Sequence, residues 1–342
     1  MRAALRSIVN HRLFQSTFAR NRKAIDWLFS YSIIPAAYLL LAYRRLGSGG
    51  LPRTTSRLRD IGVFPIRNHY YEPLFDPRQL SAPPQQDRRL PALDLNAAGQ
   101  LAFLQQLRCA DELLALRLRE PRDDVTSFCI ENESFPSGDA DFLYQFLRQV
   151  KPARMVEVGS GNSTKLARLA LQKNYAETGQ ATQHTCIEPY EQPWLERLEG
   201  VTVLRKRVED CGIDWASELK AGDFLFIDSS HVIRPRGDVL TEYLEILPQL
   251  QPGVYVHIHD IFTPRDYLPE WLTLHVRFWN EQYLLEALLT NSTRYEVVAA
   301  LNYLTHDHPG AINAVCPYMT PESEPGSFYF RVRPEADVGS LQ

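Results

Sequence analysis

Two apolar segments of the sequence end in side chains that can accept protons or bind metal ions. The segment FLFID ends in Asp228, with His231 three residues later, and VYVHIHD ends in His259 and Asp260. Carboxylate and imidazole groups act as general bases and as ligands of divalent cations. If the two segments are neighbouring parallel strands, which lie about 4.8 Å apart, Asp228 and Asp260 approach one bound cation. The spacing therefore predicts a catalytic or metal site.

A glycine turn lies upstream, where the apolar segment RMVEV runs into Gly159 and Gly161. Two glycines at the end of a buried strand let the backbone approach a ligand closely. A dinucleotide-binding fingerprint needs a third glycine where this chain has Thr164, so pyrophosphate binding is disfavoured. The next apolar segment ends in Glu188, and an acid at that position can accept both hydroxyls of a ribose. These features predict a cofactor site.

Strand-like and helix-like segments alternate from residue 154 onward, which is typical of a parallel sheet covered on both faces. The last two strand-like segments lack a clear helix between them and are predicted to pair antiparallel. We expect a doubly wound α/β fold, mostly parallel with an antiparallel C-terminal strand, plus an N-terminal helical and extended appendage. The predicted strands are 154–158, 184–188, 201–205, 223–228, 254–260, 295–301 and 327–332. The predicted helices between them are 163–173, 190–198, 213–220 and 238–249.

The glycine turn resembles the first motif of class I S-adenosylmethionine-dependent methyltransferases, ExGxGxG, with Ser163 in place of the last glycine. This resemblance implies a Rossmann-like fold and a turn that cradles the amino-acid part of S-adenosyl-L-methionine. It also implies that Glu188 binds the ribose of that cofactor. The cofactor-binding residues implied in this way are Glu157, Gly159, Ser160, Gly161, Ser163, Glu188 and Asp228.

The segments around Asp228 and Asp260 resemble those of metal-dependent O-methyltransferases of the catechol and macrolide-sugar types. The resemblance implies that His231 is the general base, that Asp228 is also catalytic, and that Asp228, His259 and Asp260 hold a divalent cation. The chain differs from the catechol pattern, because His259 and Asp260 stand where an Asp-Asn pair is usual. An imidazole ligand suits Mn²⁺, Fe²⁺ or Zn²⁺ better than Mg²⁺. Two alternatives stay open, a bound cation or direct hydrogen bonds from these groups to the substrate.

Methylation of a hydroxyl group needs a base, because a sugar or aliphatic hydroxyl is a poor acid. A neutral His231 near the reference pKa of about 6.5 can accept that proton. Polar and aromatic residues that suit a polyhydroxylated acceptor occur at a predicted helix start (Trp279, Asn280 and Glu281) and in a possible lid (His69, Tyr70 and Tyr71). The alternatives are solvated helix residues with a core tryptophan, and aromatic packing.

The charge of the 342-residue chain is unevenly distributed. Residues 1–59 have a net charge of +10 and the remainder −14, within a total of −4. A basic head on an acidic body is typical of contact with an anionic surface, and we expect no nucleic-acid partner. The five cysteines show neither a disulfide framework nor zinc-ligand spacing, which fits a reducing compartment. We expect a cytoplasmic protein, and peripheral contact of residues 1–60 with the inner membrane stays open.

Trp27–Tyr43 is an uncharged stretch of 17 residues that contains Pro35. It is slightly short for a spanning helix, and the proline is expected to interrupt it. Three alternatives follow: a buried helix pair, a helix in a membrane interface, or a true span. Residues 47–100 are predicted to wrap in extended form and 97–119 to form a long amphipathic helix. The predicted organisation is a basic segment 1–60, a wrapping segment 61–125 and a methyltransferase domain 126–335.

The sequence therefore predicts an O-methyltransferase that acts on a hydroxylated small molecule or glycan. Two other functions stay open. A metal-dependent hydroxylase of the cephalosporin type has the same fold, and fold does not determine chemistry. The other is an inactive cofactor-binding scaffold. An inactive site need not keep both Asp228 and the histidine three residues later, so their presence argues against this alternative. The oligomeric state does not follow from the sequence.

Overall fold

A computed structural model describes residues 12–190 and 192–334. The chain separates into two compact units, with the division between Ser81 and Ala82. The first unit contains helix α1 (Arg12–Leu46), helix α2 (Pro52–Ile61) and the 3₁₀ turns Ser48–Gly50 and Pro77–Gln79.

Helix α1 continues through Pro35, so the predicted interruption there is wrong. Its one non-helical residue is Asn21, with φ −111° and ψ 16°. A proline inside a helix removes one backbone hydrogen bond, and this helix is long enough to absorb that loss. The apolar side chains of Trp27–Tyr43 are exposed except near the end, where the buried Tyr43 hydroxyl lies 2.7 Å from Thr55 Oγ1. The segment lies in one continuous helix rather than in a helix pair.

The second unit is built on a seven-stranded sheet with the order β3-β2-β1-β4-β5-β7-β6. The first five strands are parallel, and β7 runs antiparallel to both β5 and β6. This architecture confirms the predicted fold class, and the strand ends lie within two residues of their predicted positions. The strands are β1 (Arg154–Val158), β2 (Gln183–Ile187), β3 (Val201–Leu204), β4 (Phe224–Ile227), β5 (Tyr255–Ile258), β6 (Tyr295–Ala300) and β7 (Phe328–Val332).

Ten helices of the second unit accompany the sheet in the described part of the chain. They are α3 (Ala97–Leu104), α4 (Ala110–Ala115), α5 (Asp139–Val150), α6 (Asn162–Thr178), α7 (Asp214–Ser217), α8 (Asp238–Thr241), α9 (Pro269–Thr273), α10 (Glu281–Leu289), α11 (Leu301–Asp307) and α12 (Pro309–Asn313). Helix α8 continues as a π-turn at Glu242–Ile246 and a 3₁₀ turn at Leu247–Gln249. Further 3₁₀ turns lie at Leu195–Arg197 and Val208–Asp210.

Three helix predictions differ from the structure. The expected helix 97–119 is two helices, because the Cys109 amide donates to the side chain of Gln145 at 2.9 Å instead of continuing the helical ladder. The predicted helix 190–198 is only the 3₁₀ turn Leu195–Arg197. Helices α11 and α12 lie between β6 and β7, where none was expected.

An aromatic cluster fills the space between α5 and the sheet. The buried ring of Phe146 lies 4.9 Å from Phe224 on β4, 5.3 Å from Tyr255 on β5 and 5.0 Å from Tyr329 on β7, measured between ring centroids. Because it meets three strands, this side chain holds together the strands whose ends form the site described below.

We expect Phe146→Ala to lower the free energy of unfolding by about 3–5 kcal/mol, because truncating a buried aromatic ring leaves a cavity. The matched control is Tyr175→Ala on α6, whose side chain is exposed. Urea denaturation followed by circular dichroism measures both. Equal stability of the two variants would contradict the assigned packing.

Candidate active site

The turn after β1 fits tightly against the end of β4. Gly159 has φ +78°, and a Cβ atom placed there would lie 1.9 Å from the carbonyl oxygen of Asp228. The Asp228 amide in turn donates to Val158 O at 2.8 Å. Only glycine fits such an approach in a left-handed conformation. The Gly159 backbone therefore fixes where Asp228 leaves its strand.

Glu157 lies beneath this turn. Its side chain is fully buried, and Oε2 accepts hydrogen bonds from Thr164 Oγ1 at 2.6 Å and Cys186 Sγ at 3.2 Å. Thr164 Oγ1 also accepts from the Gly161 amide at 3.0 Å. The structure thus gives Glu157 a supporting position: it ties the turn to the start of α6 instead of lining a cavity. Its predicted direct contact with a cofactor stays a prediction.

A cavity of about 620 Å³ opens at the carboxyl ends of β1, β2 and β4. Gly159, Glu188 and Asp228 line it, so three predicted cofactor-binding residues are brought together. The Glu188 carboxylate accepts from the amides of Ser160 at 3.3 Å and Tyr190 at 2.9 Å, which fix it at the cavity wall.

Three turn residues stand apart from that cavity. Ser160 and Ser163 are largely buried, and Gly161 precedes α6. Gly161 has φ −173°, which is extended backbone, so its conformation does not itself demand glycine. These three residues shape the turn without lining the cavity.

His231 lies among three carboxylates. Its Nδ1 is 2.8 Å from Glu281 Oε2, and its Nε2 is 3.2 Å from Asp228 Oδ1 and 3.4 Å from Asp260 Oδ2. The imidazole and Glu281 are buried, whereas the two aspartates are partly exposed. The predicted juxtaposition of Asp228, His231 and Asp260 is therefore present.

The backbone around His231 is held in an uncommon conformation. His231 and Asp260 have φ values of 59° and 58°, in the left-handed region where each non-glycine residue costs about 1–3 kcal/mol. The His231 carbonyl accepts from the amides of Asn280 at 3.0 Å and Glu281 at 3.2 Å. Asn280 Oδ1 accepts from the Ile233 amide at 2.7 Å. The start of α10 thus offsets the strain in this loop.

The residues predicted to contact an acceptor from the start of α10 pack around His231. Glu281 is fully buried against His231, Asn280 accepts from the Ile233 amide in the His231 loop, and the Trp279 ring lies 4.4 Å from the imidazole. Glu281 is thus placed to position the imidazole, and the contact of these residues with an acceptor stays a prediction. The pairing of Glu281 with His231 could not be predicted from the sequence, since 50 residues separate the partners.

The charges around His231 shift its pKa upward. Burial lowers the pKa of this imidazole, but Asp228, Glu281 and Asp260 outweigh burial and hold it well above its ordinary value. Burial raises the pKa of Asp228, and the neighbouring His259 and His231 reverse this, so that it ends below its usual range. Burial raises the pKa of Glu281. The expectation of a His231 pKa near 6.5 is therefore wrong.

A second cavity of about 330 Å³ lies on the other side of His259 and Asp260. Its lining includes Ser137, Asp139 and Trp271. Asp228 lines the first cavity and Asp260 the second, so the two aspartates that approach His231 face separate spaces.

Asp139 is a site residue whose part the sequence did not show. The N-cap position is Gly138, whose amide donates to Asp141 at 2.9 Å. Asp139 instead accepts from the Ser327 amide at 2.8 Å and lies 3.8 Å from His259 Nε2. It connects α5 to the histidine.

Asp228, His259 and Asp260 could hold a divalent cation. One ligand atom from each lies within 4.8 Å of the other two, and His259 Nδ1 is 3.3 Å from Asp260 Oδ1 and 3.6 Å from Asp228 Oδ1. The donor set of two carboxylates and one imidazole is one that Mn²⁺, Fe²⁺ and Zn²⁺ accept. The residues therefore fit the predicted metal.

His69, Tyr70 and Tyr71 belong to the first compact unit. Their rings stack, with centroids 4.7 Å apart for His69 and Tyr70 and 4.2 Å for the two tyrosines, and both tyrosines are exposed. Their part in binding an acceptor stays a prediction.

Residues 156–261 match a family model described as a methyltransferase domain. This segment of the chain is therefore similar to a methyltransferase domain. The match begins in β1 and ends just after Asp260, so it includes the glycine turn, Glu188 and His231. It confirms the resemblance that the sequence motifs indicated. A search of curated proteins finds no significant match.

Crystal structures with a similar arrangement are methyltransferases. The O-methyltransferase from Bacillus cereus, bound to SAH, is 14% identical over 68% of this chain and 91% of that one, with a TM-score of 0.34. MycE from the mycinamycin pathway, with Mg, SAH and mycinamycin VI, is 14% identical over 59% and 50%, with a TM-score of 0.33. A putative methyltransferase from Thermobifida fusca is 13% identical over 70% and 97%, with a TM-score of 0.34. These scores are too low to carry a functional argument.

We expect Glu281→Gln in the methyltransferase domain to lower the pKa of His231, because it removes one of the carboxylates that raise it. NMR titration of the imidazole, assigned with His231→Gln, measures the pKa. The matched control is Glu286→Gln on the same helix, which removes a buried carboxylate bonded to Thr263. An unchanged His231 pKa in Glu281→Gln would contradict the assigned electrostatics.

Proposed function

We propose that the protein is an S-adenosylmethionine-dependent methyltransferase that O-methylates a hydroxylated small molecule or glycan. The observation that carries this proposal is the position of His231, whose neighbours Asp228 and Asp260 line separate cavities. In the proposed reaction the acceptor oxygen takes the methyl group and loses its proton, and S-adenosylhomocysteine is released. The products are a methyl ether and a proton.

The first cavity is the proposed site of the methyl donor. Its size, the close backbone approach at Gly159 and the fixed carboxylate of Glu188 suit a nucleoside with a charged amino-acid tail. Glu188 would accept the ribose hydroxyls, and the Gly159 turn leaves room for the tail. When bound, the cofactor supplies an electrophilic methyl group on a sulfonium.

His231 is the proposed general base. Its Nδ1 is engaged by Glu281, so Nε2 is the atom left to receive a proton from a hydroxyl between the two aspartates. A carboxylate has too low a pKa to deprotonate a hydroxyl, whereas an imidazole with a raised pKa is the stronger base. Glu281 stabilises the imidazolium that forms, and the proton leaves to solvent after transfer.

Asp228, His259 and Asp260 would hold the divalent cation in the metal-dependent form of this proposal. A bound cation lowers the pKa of a coordinated hydroxyl. Without one, the two aspartates would accept hydrogen bonds from the acceptor, since both are partly exposed at the cavities. Asp139 orients His259 in either case.

Turnover should increase with pH through a pKa above 6.5. The pKa of His231 is raised, so the neutral base is lost as the pH falls below that raised value. In Glu281→Gln the acidic limb of the pH profile of turnover should move to lower pH, because the pKa of His231 is lowered. The pH profile of kcat/KM tests this expectation, and a profile that stays in place in Glu281→Gln would argue against His231 as the base.

We expect Glu188→Ala to weaken S-adenosylmethionine binding by about 1.5–3 kcal/mol, because hydrogen bonds to a charged acceptor contribute that much. Isothermal titration calorimetry measures the affinity. Glu218→Ala serves as the control, since that exposed glutamate lies away from the cavity. Unchanged affinity in a folded Glu188→Ala variant would disprove the ribose assignment.

His231→Ala should lower turnover by about 10²–10⁴-fold and leave cofactor affinity nearly unchanged, as expected for loss of a general base. Asp228→Asn and Asp260→Asn should weaken acceptor use, and a chelator should mimic them if the cation takes part. Full activity in the presence of a chelator, together with wild-type activity of Asp260→Asn, would show that no metal ion takes part in the reaction.

The reaction itself is tested by incubating the protein with isotope-labelled S-adenosylmethionine and extracts of candidate acceptors. A product heavier by one CH₂ group and carrying the label supports O-methylation. A product heavier by one oxygen atom would favour the metal-dependent hydroxylase. Cofactor binding without any product would favour the inactive scaffold.

A further inference from the structure

The first compact unit presents an apolar helix surface that the described residues leave uncovered. Within α1, the span Arg20–Leu46 has a mean hydropathy of 1.5 in its most apolar window, and none of that window is buried. The side chains of Trp27, Tyr38 and Leu39 are 65%, 69% and 73% exposed. Exposing so many large apolar groups to water is unfavourable, so the surface points to an apolar environment.

The apolar groups surround the helix instead of forming one stripe. Successive residues of a helix differ by about 100° in direction, so the run Tyr38-Leu-Leu-Leu41 already covers every face. A helix that lies in a membrane interface has an apolar face and a charged face. Trp27–Tyr43 has no charged residue at all. A helix that is apolar all round is typical of burial in protein or lipid.

The two serines within the segment bond inside the helix. Ser30 Oγ donates to Trp27 O at 2.7 Å, and Ser32 Oγ donates to Phe29 O at 3.3 Å. Pro35 brings no amide donor of its own. A segment in hydrocarbon must satisfy its hydrogen-bonding groups internally, and these two serines do so.

The ends of the segment suit the boundaries of a bilayer. Seventeen helical residues extend about 25 Å, slightly less than the roughly 30 Å of hydrocarbon. Basic residues flank both ends, at Arg22 and Lys23 and at Arg44 and Arg45. Arg44 pairs with Glu72, whereas the long side chains of Arg22, Lys23 and Arg45 can reach the headgroups and extend the span. Trp27 at one end fits the aromatic interface region.

We propose that Trp27–Tyr43 crosses a lipid bilayer as a single membrane-spanning helix and anchors the methyltransferase domain to that membrane. The basic flanks contact anionic headgroups on both sides. The uneven charge alone predicts that residues 1–60 bind a membrane peripherally. The test below distinguishes such peripheral binding from a span. Because both flanks are basic, the charges favour neither orientation.

The test uses the full-length chain in membranes isolated from expressing cells. The membranes are washed in high salt and then in alkaline carbonate, and are floated on a density gradient so that aggregates sink while vesicles rise. We expect the protein to float after both washes, because insertion depends on apolar contact. Release by salt would show a peripheral protein and overturn the proposal, as would release by carbonate.

Two double variants replace residues at the centre of the segment, one with charged side chains and one with small uncharged side chains. Aspartate side chains at the centre of a span oppose insertion, so Ile33→Asp/Ile34→Asp should no longer float. The control Ile33→Ala/Ile34→Ala should float like the wild type. S-Adenosylmethionine binding, measured on both, shows that the domain remains folded. Flotation of the aspartate variant would overturn the proposal.

Two further measurements complete the test. Purified protein reconstituted into neutral phosphatidylcholine vesicles should float in high salt, where purely electrostatic binding is lost. Intact mass spectrometry of the membrane-bound protein should show that residues 27–43 are retained. A mature chain without them would overturn the proposal, because the segment would then be a removed leader.

Discussion

The pairing of His231 with three carboxylates is the constraint on which the methyltransferase domain depends. Each carboxylate comes from a different element: Asp228 follows β4, Asp260 follows β5 and Glu281 begins α10. The parallel register of β4 and β5 pairs Ile227 with Ile258, which brings the residues after the two strands to the same edge. Any change in that register would separate the aspartates and leave buried charges unpaired, at a cost of several kcal/mol.

The same pairing explains why unfavourable local features persist. Two left-handed residues and a buried carboxylate each destabilise the fold, and the aromatic packing of Phe146 with β4, β5 and β7 opposes them. The amides of Asn280 and Glu281 bind the His231 carbonyl. The strained His231 loop is therefore held by α10, the helix that also carries the Glu281 carboxylate. The position of the imidazole is therefore determined by both its side chain and its backbone. The proposed role of His231 as a proton acceptor needs such precision.

The sheet could be predicted from the sequence because its signal is local. Apolar runs bounded by turns located every strand, and the glycine turn indicated the edge where ligands bind. Contacts over long distances could not be predicted in this way. The Cys109–Gln145 bond that divides the predicted helix 97–119 and the His231–Glu281 pair both join residues far apart in the chain. The raised pKa of His231 depends in part on its contact with Glu281, so the shift could not be predicted from the sequence either.

Pro35 and Glu157 show that one residue type can serve two purposes. Proline usually ends a helix, yet α1 continues through it because the rest of a long ladder remains intact. An acid in a cofactor motif suggests a ligand contact, yet Glu157 accepts from Thr164 and Cys186 beneath the turn. Both outcomes depend on where hydrogen-bonding groups find partners. In α1 the serines bond within the helix and leave an apolar surface suited to lipid, whereas in the candidate active site the buried Glu281 carboxylate pairs with His231. The first arrangement leaves an exposed apolar surface, and the second fixes the position of the imidazole.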